Sequence, residues 1–464
     1  MVNSELKTFT LPFPNERGER KIWVYIPSHS EDEKLPVIYM TDGQNLFDEE
    51  STEYGSWNVI SAVENEQNNT GLSAVIVGID NGNIYRDSEL TPKCIGEIQH
   101  RDYFNDIFSP EGEVFDSFLT DTVIPYIENN FPVKKNKESV SVCGSSSGGM
   151  QDFFEDGPKR DRRLWLGDLR LQALADYHTF KNYDLVKRCL YLFAAFDSED
   201  ELLPSYVYTK PQLETSDVHI VSYAHLFTVA FCDYFEYTGD NAVVDDLFDT
   251  AKRQIDITRS MLDSNGILTE PKNYGWWTFI DWTGVKGVAS TMGIYIYAVS
   301  AFADLCRKTG RESNWAVYGE FAERLKSAAF KHLYDGSIFR SEYDENQLSV
   351  HSQVWLILAG VVSVRDAQRI LKMCIGNKDY LQPVTPYMHH YVVQALINSG
   401  MKKEAENYIL GYWGEMVKDG ADTFWEVYDR DKPFLSPYGD AVINSACHAW
   451  SCTPAYFIRK YNMQ

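Results

Sequence analysis

The sequence predicts two dissimilar domains: a truncated three-layer α/β sheet over residues 1–150, then an all-α (α/α)6 six-hairpin barrel over residues 151–464. Three observations predict this. Up to residue 149, short apolar, β-branched runs alternate with loops and helical segments, the pattern of an α/β layer on a mostly parallel sheet. From residue 166 onward, apolar residues return at three- and four-residue spacings in eleven successive stretches punctuated by Gly, Asp or Asn. Between the two, the last strand pattern runs into Gly144-Ser-Ser146-Ser-Gly148, where small residues let the backbone turn sharply and expose a serine hydroxyl.

In the first part, strands are expected at 21–26, 35–40, 74–79 and 139–143, with a helical segment at 115–130. In the second part, helices are expected at 169–180, 183–196, 219–237, 242–262, 288–308, 315–333, 351–361, 365–375, 386–399, 402–417 and 442–461. Eleven helices, or twelve if one short helix escapes the pattern, suggest helical hairpins that close into a barrel.

A chain of 464 residues is long enough for two or three domains and a sizeable core. Its formal net charge of −24 disfavours nucleic acid and anionic membranes as partners, since both repel an acidic surface. Neutral substrates such as glycans fit better. The 11 Trp and 29 Tyr suit stacking on sugar faces, and equally suit the packing of large helices. The first residues hold no apolar run of signal-peptide length, and no later segment approaches 18 uninterrupted apolar residues, so the chain reads as cytoplasmic. The eight cysteines are scattered and read as reduced core thiols. Cys447 and Cys452 flank His448 without a second ligand pair at zinc-like spacing, so no metal is expected.

Three motifs carry chemistry. Asp156-Gly-Pro-Lys-Arg-Asp161-Arg-Arg-Leu-Trp165-Leu-Gly-Asp168 packs three carboxylates, three arginines and a tryptophan into thirteen residues. Asp422-Thr-Phe-Trp425-Glu426 sets an acid beside an aromatic ring, and Ser445-Ala-Cys-His448-Ala-Trp450-Ser-Cys-Thr-Pro454 follows. Cleaving a bond between sugars needs a protonated acid for the leaving oxygen, a second carboxylate to act on water, and flat apolar surface for the ring. Each feature also has a plainer reading. An arginine-carboxylate cluster can be a structural ion-pair network, a lone tryptophan among helices can be core, and His448 by itself can be a satisfied core histidine. His351, His389 and His390 have no partner spacing and read as structural.

Taken together and in order, the three blocks make residues from about 152 to 464 resemble the six-hairpin catalytic domain of bacterial α-L-rhamnosidases of glycoside hydrolase family 78. That resemblance implies hydrolysis of terminal α-L-rhamnosides in a rhamnose-containing carbohydrate, with inversion at the anomeric carbon and without a cofactor. It implies Asp161 as general acid, where many members carry Glu, and Glu426 as general base. Asp156 and Asp168 would bind sugar hydroxyls with Arg160 as a nearby donor, and His448 would be a further hydroxyl ligand. Trp165, Trp277, Trp282 and Trp425 would be ring-stacking surfaces. The stretch from Asn273 to Trp282 resembles the family's mid-barrel substrate loop, which puts Asp281 in the site. An inverting enzyme keeps its two carboxyls roughly 6.5–9.5 Å apart to admit a water. Crowding by Asp156 and Asp168 favours a protonated Asp161, whereas Arg160, Arg162 and Arg163 oppose it.

The first part resembles half of a different enzyme. Tyr39-Met-Thr-Asp42-Gly43-Gln44-Asn-Leu-Phe-Asp48, Val77-Gly-Ile-Asp80-Asn, Glu89-Leu-Thr-Pro92 and Phe118 through Ile127, followed by the serine turn, resemble the opening of an esterase D-like α/β-hydrolase. The resemblance implies Ser146 as nucleophile, with backbone amides near Gly43-Gln44 and Ser147 as the oxyanion hole. The sequence then departs from that pattern. Only residues 150–155 separate the turn from Asp156-Gly-Pro, and no further strand pattern follows. Every later histidine lies in the helical part, and His29 and His100 precede the serine. A serine without its base is a weak nucleophile, so Ser146 reads as vestigial. Three readings stand at this stage: an α-L-rhamnosidase, a serine carboxylesterase acting through Ser146, and a catalytically inactive carbohydrate-binding fusion.

Overall fold

The computed structural model describes residues 2–15, 17–47, 56–89, 111–136, 139–143, 153–157, 163–208, 213–215, 217–271, 276–342, 347–421, 423–432, 435–439 and 443–463. The chain divides into two compact units, one formed chiefly by residues 1–151 and the other by 152–439 and 444–464.

Alternation at period two builds the first unit. Its strands are β1 (Glu5–Pro12), β2 (Glu19–Ile26), β3 (Val37–Thr41), β4 (Val75–Ile79) and β5 (Val140–Cys143), in the spatial order β1-β2-β4-β3-β5. Ile22, Val24, Val37, Tyr39, Val75 and Val77 project to one face. They are covered there by Phe118, Leu119, Val123 and Ile127, from consecutive helical turns between Gly112 and Asn130. Tyr25, Ile38, Met40 and Ile76 project to the other face, against Val59, Ile60 and Val63 of the helix Val59–Thr70. The result is three layers.

The sheet is mixed rather than mostly parallel. β3 runs parallel to β4 and β5, but β2 is antiparallel to both β1 and β4. The expected strands omitted β1, whose sequence Glu-Leu-Lys-Thr-Phe-Thr-Leu-Pro is almost wholly exposed and so carries little apolar signal.

The second unit is a closed ring of helices. Among the described residues, six inner helices, Leu166–His178, Val221–Thr238, Val288–Lys308, Val350–Leu358, Pro386–Asn398 and Pro454–Tyr461, alternate with five outer ones. The first five inner helices pack in succession and the sixth packs back on the first. The fifth and sixth are joined through Gln394, which accepts from Tyr456 and donates to Tyr461. Nearly every residue of the inner helix Leu166–His178 is buried, polar Asp168, Arg170, Gln172 and Asp176 included, as befits a core element, whereas Pro454–Tyr461 buries Pro454, Tyr456 and Phe457 on one face. Val288–Lys308 is long and apolar enough to cross a bilayer by composition alone, yet most of it is buried as an inner helix of this ring. The outer helices Tyr183–Ala194, Asn241–Arg259, Glu312–Leu333, Val364–Cys374 and Lys402–Lys418 bury one face each. Polar caps start several helices: Asp240 accepts from the amides of Ala242 and Val243, Ser363 from Asp366 and Thr385 from Met388.

The last helix begins at Pro454, not at 442. Pro454 lacks an N–H and fits the first helical turn, while the preceding backbone is spent on other bonds. The His448 amide donates to Phe424 O, and the Ala449 amide to Asp156 O at 2.9 Å. Two small sheets also join the barrel: Leu164–Trp165 with Tyr206–Tyr208 and Glu214–Thr215, and His219–Ile220 with Trp276–Trp277. Strands of two residues are too short to show alternation in a sequence.

Candidate active site

The loops at the N-terminal ends of the inner helices line a pocket that opens to solvent, with a cavity volume of about 60 Å3. Three buried carboxylates, Asp156, Asp168 and Glu426, line it together with His448, and none is more than 4% exposed among the three. Among the described residues, the aromatic rings of Trp165, Tyr223, Trp277, Phe279, Trp282, Tyr438 and Trp450 also line it, beside Ile220.

Each acid is held by its local chain. Glu426 sits at a bend in the chain; its amide donates to Ser445 O at 2.9 Å, and its carbonyl accepts from Trp450 Nε1 at 3.0 Å. Its carboxylate accepts from the Ser445 amide on Oε2 and from the Tyr438 hydroxyl on Oε1, both at 2.7 Å. Asp156 exchanges backbone bonds with Arg163 and Ala449, and its Oδ1 accepts from the Arg163 amide at 3.1 Å. Asp168 lies in the first turn of Leu166–His178, where the helix dipole favours negative charge. His448 stands between two of the acids, with Nδ1 3.8 Å from Asp168 Oδ1 and Nε2 4.0 Å from Glu426 Oε1. Its ring lies 4.4 Å from that of Trp450.

Tyr223 closes the cavity beside Asp168. Burial, reinforced by the charge of Asp168, pushes its phenol well above the usual range, so it is a neutral hydroxyl at any working pH. Its ring lies directly over Gly167, where an added Cβ would fall 2.3 Å from Tyr223 Cε1. Phe279 packs edge-on to Tyr223 at 5.6 Å, to Trp282 at 5.1 Å and to Trp277 at 6.1 Å, and lies nearly parallel to Trp450.

Of the residues expected from sequence, Asp156, Trp165, Asp168, Trp277, Trp282, Glu426 and His448 come together here. Ser146, Arg160 and Asp161 lie outside the described residues. Asp281 does not line the cavity. Its side chain is fully enclosed and accepts from His351 Nε2 at 2.8 Å, the amides of Val384 and Thr385 at 2.8 and 3.0 Å, and Thr385 Oγ1 at 2.7 Å. Burial opposes its ionisation, but these donors, His351 first, outweigh burial and hold the carboxyl below the usual range. Trp425 is also absent from the cavity wall and packs toward Tyr428 at 6.0 Å.

Sequence reasoning missed Tyr223, Phe279, Tyr438 and Trp450 as wall residues. Trp450 and Phe279 sit inside quoted motifs and could have been found there, whereas a buried tyrosine on an apolar helix such as Tyr223 reads only as core. Among the described residues, no group of three or more His, Cys, Asp or Glu is arranged to hold a metal ion.

In the first unit, the turn after β3 is held closely. Asp42 has a left-handed backbone and takes a two-pronged ion pair from Arg86 at 2.8 Å, with Asn81 donating at 2.9 Å. Gly43 lies against Gly78, where a Cβ would fall 2.5 Å from the backbone.

Residues 139–461 match the bacterial alpha-L-rhamnosidase 6 hairpin glycosidase domain, and residues 16–151 match an esterase family. Among solved structures the chain is similar to a rhamnosidase from Klebsiella oxytoca with rhamnose bound, at 40% identity and TM-score 0.64, covering 67% of this chain and 60% of that one. It is also similar to a GH78 family rhamnosidase of Bacillus sp. GL1, at 22% identity and TM-score 0.57, over 65% of this chain and 32% of that one. A third similarity is to Streptomyces avermitilis alpha-L-rhamnosidase complexed with L-rhamnose, at 16% identity and TM-score 0.51, over 66% and 29%. At those identities the last two speak to fold alone. Among curated proteins, an uncharacterized protein YbbA of Bacillus subtilis is 31% identical over 143 residues, 30% of this chain and 52% of that protein. The chain thus spans 60% or less of the length of each of these relatives. Since the six-hairpin match takes in most of the sequence and the acid-lined cavity lies within it, the chain belongs to the bacterial alpha-L-rhamnosidase six-hairpin glycosidase family.

Proposed function

We propose that this chain is an α-L-rhamnosidase that removes terminal α-L-rhamnose from glycans or glycosides with inversion. One observation carries the reading: a cavity with three buried carboxylates and aromatic walls lies in a barrel that is 40% identical to a rhamnosidase with rhamnose bound.

In this reading Glu426 is the general base. Its carboxylate is oriented by Tyr438 and Ser445, opens on the cavity, and takes a proton from the water that attacks the anomeric carbon. Asp161 donates the proton to the leaving oxygen, an assignment that rests on its motif. Asp156, Asp168 and His448 offer acceptors and a donor to ring hydroxyls, and Trp165, Trp282 and Phe279 offer flat surface to the sugar. We place the reaction in the cytoplasm and in carbohydrate metabolism, with the unbridged buried thiols Cys189, Cys232, Cys306 and Cys374 in support of a reducing compartment.

The test is release of p-nitrophenol from p-nitrophenyl α-L-rhamnoside, with the anomer of the first-formed rhamnose read by NMR. Turnover giving the β-anomer, and lost in Glu426→Gln, supports the proposal. Rhamnose binding without turnover would instead favour the inactive binding protein.

A second reading, a serine carboxylesterase, draws on the match over residues 16–151 and the β1-β2-β4-β3-β5 strand order, whose last strand ends just before the Ser146 motif in sequence. Cleavage of p-nitrophenyl acetate that disappears in Ser146→Ala would support it.

A further inference from the structure

We infer that Tyr438 is a positioning residue for Glu426, holding the base carboxylate in its working orientation and ionised form; the inference rests on the reading of Glu426 given above. Tyr438 lies outside the three sequence motifs, on the turn at residues 435–439. Its hydroxyl donates to Glu426 Oε1 at 2.7 Å, while the Ser445 amide donates to Oε2 at 2.7 Å. One donor on each oxygen fixes the plane of a carboxylate that is 1% exposed. Donors to an ionised carboxylate favour its charged form, which is the form a base must have before it takes the water's proton.

The phenol is itself aimed by the cavity wall. The Tyr438 ring meets Trp282 edge-on at 5.6 Å, so the hydroxyl is delivered from the surface on which the sugar would rest. Substrate binding against Trp282 and base orientation are thereby linked through one side chain. Among the described residues, titratable groups near Glu426 include His448, at 4.0 Å, Asp168, which lies beyond His448, and Asp156 and Tyr223 on the same cavity. All of them remain in Tyr438→Phe, so that change isolates the hydroxyl and keeps the ring contact.

In the hydrolytic step, the water's O–H bond breaks toward Glu426 as its oxygen bonds to the anomeric carbon. The bond from that carbon to the leaving oxygen breaks, and that oxygen takes a proton from the acid. Tyr438 keeps its own proton throughout and stays neutral.

The experiment is the pH profile of p-nitrophenyl α-L-rhamnoside hydrolysis by the full chain and by Tyr438→Phe. The acid limb of kcat/KM is expected to move up by about one unit and kcat to fall on the order of 10-fold, with KM within about 2-fold. A limb and kcat that stay where they were, or a raised KM without a shifted limb, would overturn the inference. If the Phe variant does not fold, 3-fluorotyrosine at 438 keeps the shape and donates more strongly, so the limb should move down; an unmoved limb overturns the inference. Rhamnoside turnover that survives Glu426→Gln overturns the base assignment and this inference with it. Turnover lost in Glu426→Gln but unaltered in Tyr438→Phe overturns the inference alone.

Discussion

His351 Nε2 donates to Asp281 Oδ2 at 2.8 Å where neither side chain is exposed at all. The same carboxylate accepts the Val384 and Thr385 amides just before the helix Pro386–Asn398, and Thr385 in turn caps that helix. Asp281 therefore ties the loop bearing Trp277 and Trp282 to two inner helices of the barrel. Its effect on the cavity is exerted through the backbone.

Asp281→Ala should accordingly be a stability variant. Removing a buried, fully bonded charge and leaving its donors unpaired is expected to cost about 3–5 kcal/mol. The check is the urea midpoint at neutral pH. Because the native carboxyl is held below its usual range, its contribution is present above the unfolded-state pKa and is lost as pH falls through the folded-state one. The gap between wild type and Asp281→Asn should therefore shrink in strong acid.

Gly167→Ala tests the contact with Tyr223. A methyl group 2.3 Å from Tyr223 Cε1 must displace that ring or the helix carrying it. Overpacking of this kind costs about 1–3 kcal/mol. Since Tyr223 lines the cavity beside Asp168, rhamnoside kcat/KM should fall together with the thermal midpoint. A midpoint lowered with full activity would place the displaced ring outside the working site.

The sequence motifs made the acids legible and left the walls obscure, for a physical reason. Asp156 and Asp168 stood out as part of a charge-dense block, Glu426 as an acid beside an aromatic ring, and His448 within an ordered motif, and all four are buried at a cost that must be met. Tyr223 does not stand out, since an aromatic residue at helical spacing is what a core also requires, and Tyr438 lies on a turn outside the three motifs. Asp281 was placed in the site because the stretch from Asn273 to Trp282 resembles the family's substrate loop. Its role as a cap depends on Thr385 and His351, which are far away in sequence. The start of the last helix was misplaced because apolar spacing continues upstream of Pro454, although that backbone is committed to Asp156 and Phe424. The sheet's parallel core was legible from β3, β4 and β5, while β1 has too little buried surface to announce itself.

Asp176 offers a stabilising change. Burial raises its carboxyl to about 6, and Oδ2 is buried without a hydrogen-bond partner among the described residues. A raised carboxyl stabilises most below its unfolded-state pKa, and that contribution is lost as pH rises through about 6. Asp176→Asn can still accept from the Asn182 amide and carries no charge. It should therefore gain on the order of 1–2 kcal/mol over wild type at pH 7.5, allowing for screening, and little or nothing at pH 4. Denaturant midpoints at the two pH values provide the measurement.

The final prediction separates acid from base by leaving group. If Asp161 protonates the departing oxygen, its help matters most when that oxygen is a poor leaving group. Asp161→Asn should then lose about 10²- to 10⁴-fold in kcat/KM on an alkyl rhamnoside or a rhamnose-capped disaccharide. On p-nitrophenyl α-L-rhamnoside the loss should be much smaller, because p-nitrophenolate departs without a proton. Glu426→Gln removes the group that activates water, a step common to every substrate, and should lose a similar factor on all of them. Azide, which attacks without needing a base, should restore turnover in Glu426→Ala and yield the β-rhamnosyl azide. An Asp161→Asn variant that loses equally on both leaving groups would shift the acid to another residue of the cavity, with Asp156 and Asp168 the first to replace by Asn.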